Sequence, residues 1–477
     1  MGNLFTALNT AGQSLQAFER AMSVTENNVT NANSPGYADQ VPQMVALSFQ
    51  SNGTGQGGGV EEVTQDTRSA YADTAVQQQL SLQGMYQQLQ TTLTPLENVF
   101  DVSSSSPIPS ALNQLFQSFS QWSTNPSDAN YQSAVIDAAQ QTASAFQQAA
   151  VQLGQIQTST AQDIQSTVTQ INQDAATIQS INQQIAQNPQ ANAGLSAQLE
   201  NTLENLSGLA NIQVITATGG QVTVLLGGQT PLVEGTQVND IQAGNDSASN
   251  AGNAGAAPLI SVEDSNGNDI TSQITSGSLA GLLSAYNTTL PSLIGGGQQV
   301  GGLNTLAQSL ADSVNNILEQ GSTTDTPPYT AGTALFTYNS TSPAGIAGSL
   351  SVTSGITGSE LAAASPGPPF VSNGTANTLS ALDSSGNGPD GQGFTGYFAS
   401  LTSTVGYAVS NANTAATAQS QLVAQAQSLQ QQVSGVSLDE EATRLIQLQN
   451  SYDAASKVVT TIDDTLQTLM NMIPVTG

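Results

Sequence analysis

Apolar residues recur on alternating steps of four and three at both ends of this 477-residue chain. Leu4, Leu8, Ala11, Leu15, Phe18, Met22 and Val29 set the beat at the start, with polar Thr25 filling one position. Leu438, Leu445, Tyr452, Ala455, Val459, Ile462, Leu466, Leu469 and Ile473 set it at the finish. Such spacing places the apolar side chains on one face of an α-helix, in coiled-coil fashion. The pattern predicts helices over about 4–29 and 438–473. Either helix alone would leave its stripe in water. The two ends therefore exist to pack, against each other or against copies of the chain, which points to assembly rather than catalysis.

The interior alternates between the same helical period and shorter, strand-like runs. The first helix stops in Asn31-Ala32-Asn33-Ser34-Pro35-Gly36-Tyr37, where Pro35 biases Ser34 toward extended geometry and Gly36 permits a positive φ. An extended stretch over 41–49 and a Gly-rich loop over 52–59 follow, and helical spacing resumes near Ala70. A helix over 110–122 runs into Asn125-Pro126-Ser127-Asp128, a helix-start cluster with capping oxygens and an early Pro. From it grows the longest periodic run, Tyr131 to Ile185, which predicts a helix on the order of 80 Å long. A shorter helix over 195–209 gives way to a Gly-punctuated β meander over 212–233, then to a Gly/Asn/Ala/Ser loop over 243–257, expected to be mobile. Strand character at 259–262 and helices at 279–286 and 303–318 come next. Residues 321–396 are rich in Gly, Pro, Ser and Thr with short apolar runs, and read as a β-rich, loop-heavy outer domain. Helix dominates again from about 398 to 433.

Composition narrows the chemistry. Cysteine and histidine are both absent, which removes thiolate and imidazole metal ligands, Cys nucleophiles and every Ser–His triad. Four cations (Arg20, Arg68, Arg444, Lys457) face 33 acids, for a formal net charge of −29. No basic patch for nucleic acid or an anionic membrane can be assembled from so few. Only 8% of residues are charged, and amides and hydroxyls supply the remaining polarity, a balance suited to an acidic medium. No apolar run is long enough to span a bilayer, and the N-terminus lacks the layout of a cleaved secretory signal. The first six residues match a myristoylation pattern by letter, but Leu4 already belongs to the helical seam. Asp264, Asn266, Asn268 and Asp269 lack the Gly and Glu of a calcium loop and read as an Asx-rich turn, as does 383–393. Asp439, Glu440 and Glu441 read as helix-start acids, and Trp122 beside Phe116 and Phe119 as a packing anchor. Arg444 and Lys457 are candidates to pair with Glu26, Asp39 or acids of a neighbouring subunit. No catalytic, cofactor or metal site is assigned.

Asn27-Asn28-Val29-Thr30-Asn31-Ala32-Asn33-Ser34-Pro35-Gly36-Tyr37 resembles the N-terminal signature of the flagellar rod, hook and hook-associated axial proteins, with Asn28, Asn31, Asn33, Pro35, Gly36 and Tyr37 carrying the likeness. The stretch from Ser434-Gly435-Val436-Ser437-Leu438-Asp439-Glu440-Glu441 through Met472 is narrower and resembles the hook-associated, hook–filament junction branch of that family. Asn125 to Asp128, Gly219 to Gly235 and Gly277 to Leu283 agree. The sequence departs where that family places a basic residue after Pro-Gly-Tyr (Ala38 and Asp39 here) and an Arg near 199–206, where Glu200 and Glu204 stand without one.

The resemblance implies a non-enzymatic structural protein of the bacterial flagellum. It would be exported unfolded through the flagellar type III apparatus and polymerise as a first junction layer, outside the cell. Its partners would be other copies of itself, hook protein below, a second junction protein above, and an export chaperone on the C-terminal helix. The expected fold is α+β and multidomain: elongated helical-bundle inner domains from both chain ends and a long interior helix, with inserted β-rich outer domains. The expected division is a terminal assembly region (1–60 and 434–477), a helical rod domain (61–210, 278–320 and 397–433), a small β-rich domain (211–277) and the outer domain (321–396). Another axial protein of hook or rod type, a secreted coiled-coil adhesin and a carboxylate-only glycoside hydrolase remain the alternatives at this point.

Overall fold

The computed structural model describes residues 2–46, 60–101, 107–187, 193–246 and 248–471. The loop expected over 52–59, most of the break before α3 and the seam position Ile473 lie outside these. Helix α1 (Gly2–Asn31) leads into an antiparallel hairpin of β1 (Gln40–Ala46) and β2 (Val60–Asp66), in register from Gln40 opposite Asp66 to Ala46 opposite Val60. Strand β2 is absent from the sequence reading. Its alternation is carried by Val60, Glu62, Thr64 and Asp66, so only one apolar residue marks the inner face.

Helix α2 (Ala70–Leu93) is capped by Ser69, whose Oγ accepts from the Ala72 amide at 3.4 Å. Helices α3 (Pro107–Thr124) and α4 (Ala129–Gln187) follow. The 59 residues of α4 make a rod of roughly 90 Å at 1.5 Å per residue. The predicted seam is the buried one, from Val135, Ala138 and Thr142 to Ile171, Ala175, Ile178 and Ile181.

Helix α5 (Ala193–Leu209) precedes a four-stranded antiparallel meander of β3 (Ile212–Thr216), β4 (Val222–Leu226), β5 (Thr230–Glu234) and β6 (Gln237–Val238). A separate pair, β7 (Gln242–Asp246) and β8 (Leu259–Glu263), closes the small β region. The 243–257 stretch is thus not simply a mobile loop. Its first residues pair as β7, and buried Asn253 anchors the turn beyond by donating to Gly297 O and Gln299 O at 3.0 and 2.9 Å.

Helices α6 (Ser278–Ser284), α7 (Leu290–Ile294) and α8 (Gly302–Gln320) return the chain to the rod, with one π-helical turn at Ala285–Thr289. The segment expected to be a β-rich outer domain is something else. Its strands are the two-residue β9 (Phe336–Thr337) and β10 (Ser351–Val352), joined by short helices α9 (Ile346–Ser349) and α10 (Gly374–Ser380), single 3-10 turns, isolated bridges and irregular backbone. Leu335, Phe336, Ile346, Leu350, Leu379 and Leu382 sink into the same core as α3, α4 and α8. Gly/Pro/Ser composition marks irregular backbone, which here covers a helix core instead of pairing into sheet. Helices α11 (Phe394–Ser434) and α12 (Leu438–Asn471) complete the chain.

Two hydrophobic clusters are strung along α4. Its first half joins Trp122, Phe119, Phe146 and Phe394 in one, and Ile164 to Ile181 join the β meander, α5 and α6 in the other. Helices α2 and α11 run antiparallel, since Ser69 meets Ser434, Gln83 meets Ser420 and Gln90 meets Asn413. Helices α1 and α12 also pair antiparallel, so the two terminal helices lie together.

Candidate assembly surface

The α1–α12 pair is where the two terminal stripes meet. On α12 the inward face runs through Glu441, Leu445, Leu448, Tyr452, Ala455, Val459, Ile462 and Leu466, all buried or half-buried on strict four–three steps. Leu448, absent from the predicted seam, fills the beat between Leu445 and Tyr452. Leu438 and Leu469 do not belong: they are 53% and 41% exposed. On α1, Ala11 is buried and Leu4, Leu8, Leu15, Phe18 and Met22 are half-buried. Val29 is 45% exposed, because the beat after buried Thr25 falls three residues on, at Asn28. The Tyr452 hydroxyl donates to Glu19 Oε1 at 3.1 Å across the pair.

Asn28 is fully buried and serves both ends of the chain. Its Nδ2 donates to Asp39 Oδ1 at 2.6 Å, to Gln40 O at 2.9 Å and to Glu441 Oε2 at 3.1 Å. Its Oδ1 accepts from the Gln40 amide at 3.1 Å and the Tyr37 hydroxyl at 2.9 Å. The amide nitrogen has two hydrogens for these three acceptors, so one is shared, and both lone pairs of the oxygen are filled. The signature asparagine thus bonds α1, the entry to β1 and α12 at once.

Arg444 pairs with Glu441 on its own helix and with Asp39 at 3.9 Å. Glu441 is 1% exposed and is more than a helix-start acid. Burial, and then the neighbouring Glu441, holds the Asp39 carboxyl above its ordinary range, with Arg444 opposing. Burial and Asp39 push the Tyr37 phenol up to about 12, so it stays a donor to Asn28.

The rest of the signature shapes the turn. Gly36 adopts φ +71°, and a Cβ there would come within 2.5 Å of the Ala197 carbonyl on α5, so conformation and space both require glycine. Asn31 Oδ1 accepts from Ser34 Oγ at 3.1 Å, while Asn33 and Pro35 are exposed at the bend. The Asp39 amide donates to Ser434 O at 2.9 Å, tying the turn to the end of α11.

Beside this knot lies a second polar cluster. Arg68 donates to Gly36 O at 2.6 Å and pairs with Glu200 at 3.5 Å, Asp73 at 3.8 Å and Asp66 at 3.9 Å. Gln430 Nε2 donates to Asp73 Oδ1 and Glu204 Oε1 at 2.8 and 3.1 Å, and Gln77 donates to Glu200 at 3.2 Å. The arginine that α5 lacks is therefore supplied by the turn before α2. One guanidinium does not balance these acids: burial, followed by the Asp73 charge, raises Glu200 to about 7. Asp73 and Glu204 are raised as well, again by burial first.

The turn clusters elsewhere are self-contained. Asp264 Oδ1 accepts from the Asn266 and Asn268 amides at 2.8 and 2.9 Å, and Asp383 caps α11 through the Thr395 amide and hydroxyl. Among the described residues no cluster of three or more acids could hold a metal ion, and no helix is long and apolar enough to cross a membrane. Trp122 is fully buried, its Nε1 donating to Pro126 O at 3.1 Å.

An elongated helical spine whose two ends close on each other through a buried amide, beside a small inserted sheet, defines a structural protein of the axial-assembly class. Residues 93–336, just over half of the chain, match the family model described as the flagellar hook-associated protein FlgK helical domain. Residues 429–472 match the C-terminal model of the flagellar basal body rod FlgEFG proteins. Flagellar hook-associated protein 1 of Bacillus subtilis (strain 168) is 28% identical, with both chains covered in full. The fold is similar to the solved structure of the flagellar hook junction protein FlgK from Burkholderia pseudomallei, at TM-score 0.63 and 17% identity over 75% of this chain and all of that one. The chain belongs to the FlgK family of flagellar hook-associated proteins, structural components of the hook–filament junction and not enzymes.

Proposed function

We propose that this chain forms the first junction layer on the hook tip, with copies of itself as lateral neighbours, hook protein below and a second junction protein above. The reading rests on one observation: α12 is paired with α1 yet remains largely uncovered. Of its 34 residues only Glu441 and Leu466 are buried, while Ile446, Val458, Leu469 and Met470 stand 60%, 51%, 41% and 62% exposed. Apolar side chains on the outer face of an already paired helix need a further partner. Neighbours in an assembled array supply it, and an export chaperone covers the same face before that. Export unfolded through the flagellar type III apparatus suits helices that gain most of their burial on assembly. In this reading 1–60 and 434–477 form the assembly region, and 321–396 belongs with the helical rod.

Deletion of residues 438–477 tests it. Cells carrying the truncated chain should be non-motile and release unpolymerised flagellin into the medium. Normal filaments would reject the junction role.

A further inference from the structure

We propose that a second copy of this chain docks in the groove between α2 and α11, a contact separate from the terminal helix pair. The inference rests on the self-assembly just proposed and names the surface. The groove has a volume of about 570 Å³ and is lined by Ala75 and Gln79 on α2 and by Leu422, Gln425, Ala426 and Leu429 on α11. Leu422 and Leu429 are 45% and 43% exposed, and Val433 one turn on is 51% exposed. Tyr71, on the same face of α2 as Ala75 and Gln79, is 80% exposed at one end. Ala75 and Ala426 keep the floor low, so a neighbouring helix can approach closely.

Charge decides which partner fits. Each copy carries a formal −29, so identical molecules repel wherever their acids face one another. Salt bridges cannot offset this. Of the four cations, Arg68 and Arg444 are already committed inside the fold, which leaves Arg20 and Lys457 against 33 acids. Copies must therefore meet on neutral surface. Residues 391–438 contain no Asp, Glu, Lys or Arg, and neither do residues 74–96. The α2–α11 pair brings these two uncharged stretches side by side, with amides (Gln79, Gln425) able to bond across a contact at any pH. A cationic partner would prefer the acidic faces, such as that of α12 with Asp439, Glu440, Asp453, Asp463 and Asp464.

The chain has no cysteine, so one introduced thiol reports one position. Gln425→Cys, labelled with benzophenone-maleimide, is added as full-length protein to isolated hooks, irradiated and pelleted. Val151→Cys on α4, 59% exposed and outside the groove, is the control. The expected result is a covalent product of twice the chain mass from position 425 and little from 151. Leu429→Asp should cut the pelleted protein roughly tenfold, because it sets a charge against a like-charged copy, while Leu429→Gln should not. Labelled chain that pellets with hooks but yields no doubled product, or yields an adduct with hook protein instead, overturns the groove and leaves the junction role standing. Chain that does not pellet at all overturns both.

Discussion

The core around Trp122 and the pair of terminal helices are built from the same four–three spacing and are stabilised in opposite ways. In the first, α8 buries Leu303, Leu306, Leu310, Val314 and Leu318, and the first half of α4 buries Val135, Phe146 and Leu153, all against partners in the same chain. In the second, α12 buries one leucine and one glutamate. Hydrophobic burial scales with the apolar area removed from water. The first region is therefore self-sufficient, while the second is held by α1 and by a polar knot. Identical periodicity leads to a finished core where the topology supplies several neighbours, and to an unfinished one where it supplies a single helix.

The largest effect that would sharpen this contrast comes from Trp122→Ala. Emptying a fully buried indole site should cost about 3–5 kcal/mol, read as a lowered urea midpoint by circular dichroism. Amide exchange in α1 and α12 should stay as in the parent. Equal acceleration there would mean that the two regions are not energetically distinct.

Asn28→Ala attacks the other side of the comparison. It leaves Asp39, Glu441 and the Gln40 amide buried without their shared partner. Each buried group left unsatisfied costs about 1–3 kcal/mol, so a loss of roughly 3 kcal/mol confined to the terminal pair is expected. Hydrogen exchange should quicken in α1 and α12 and remain slow in α4. Unchanged exchange in α12 would show that the knot does not hold the ends.

The smallest effect is a dependence on pH at the seam between the regions. Glu200 stands at about 7 in the folded chain against an ordinary 4.5, so between those values the folded state binds the extra proton. Stability then falls as pH rises through the window, by at most about 3 kcal/mol, less what Asp73 and Glu204 share of the same charge. Urea midpoints should be higher at pH 5 than at pH 8, and Glu200→Gln should flatten that slope. A midpoint that rises toward pH 8 in the parent would contradict the arrangement.

Much of this was legible along the chain. The 59-residue α4, the β meander with its Gly turns, both terminal helices and the signature turn all follow from spacing and from Pro and Gly positions, because helical period and turn chemistry are local. Val29 and Leu438 look like seam residues by letter, but the buried beats belong to Asn28 and Glu441, polar residues that no hydrophobic pattern selects. Residues 321–396 read as sheet because short apolar runs between Gly, Pro, Ser and Thr turns look alike whether they pair as strands or cover a helix core as irregular backbone.

By itself the sequence determined where the long helices lie, that both ends carry an apolar face, and that thiol and imidazole chemistry are excluded. Only the tertiary structure decided that Arg68 answers Glu200 on α5, that Asn28 meets Glu441 across 413 positions, and that α2 and α11 set their uncharged stretches side by side. Local periodicity is a property of neighbours in the chain. Which charges and amides meet depends on how α4 and the returning α11 fold the chain back on itself, and no short window of residues contains that information.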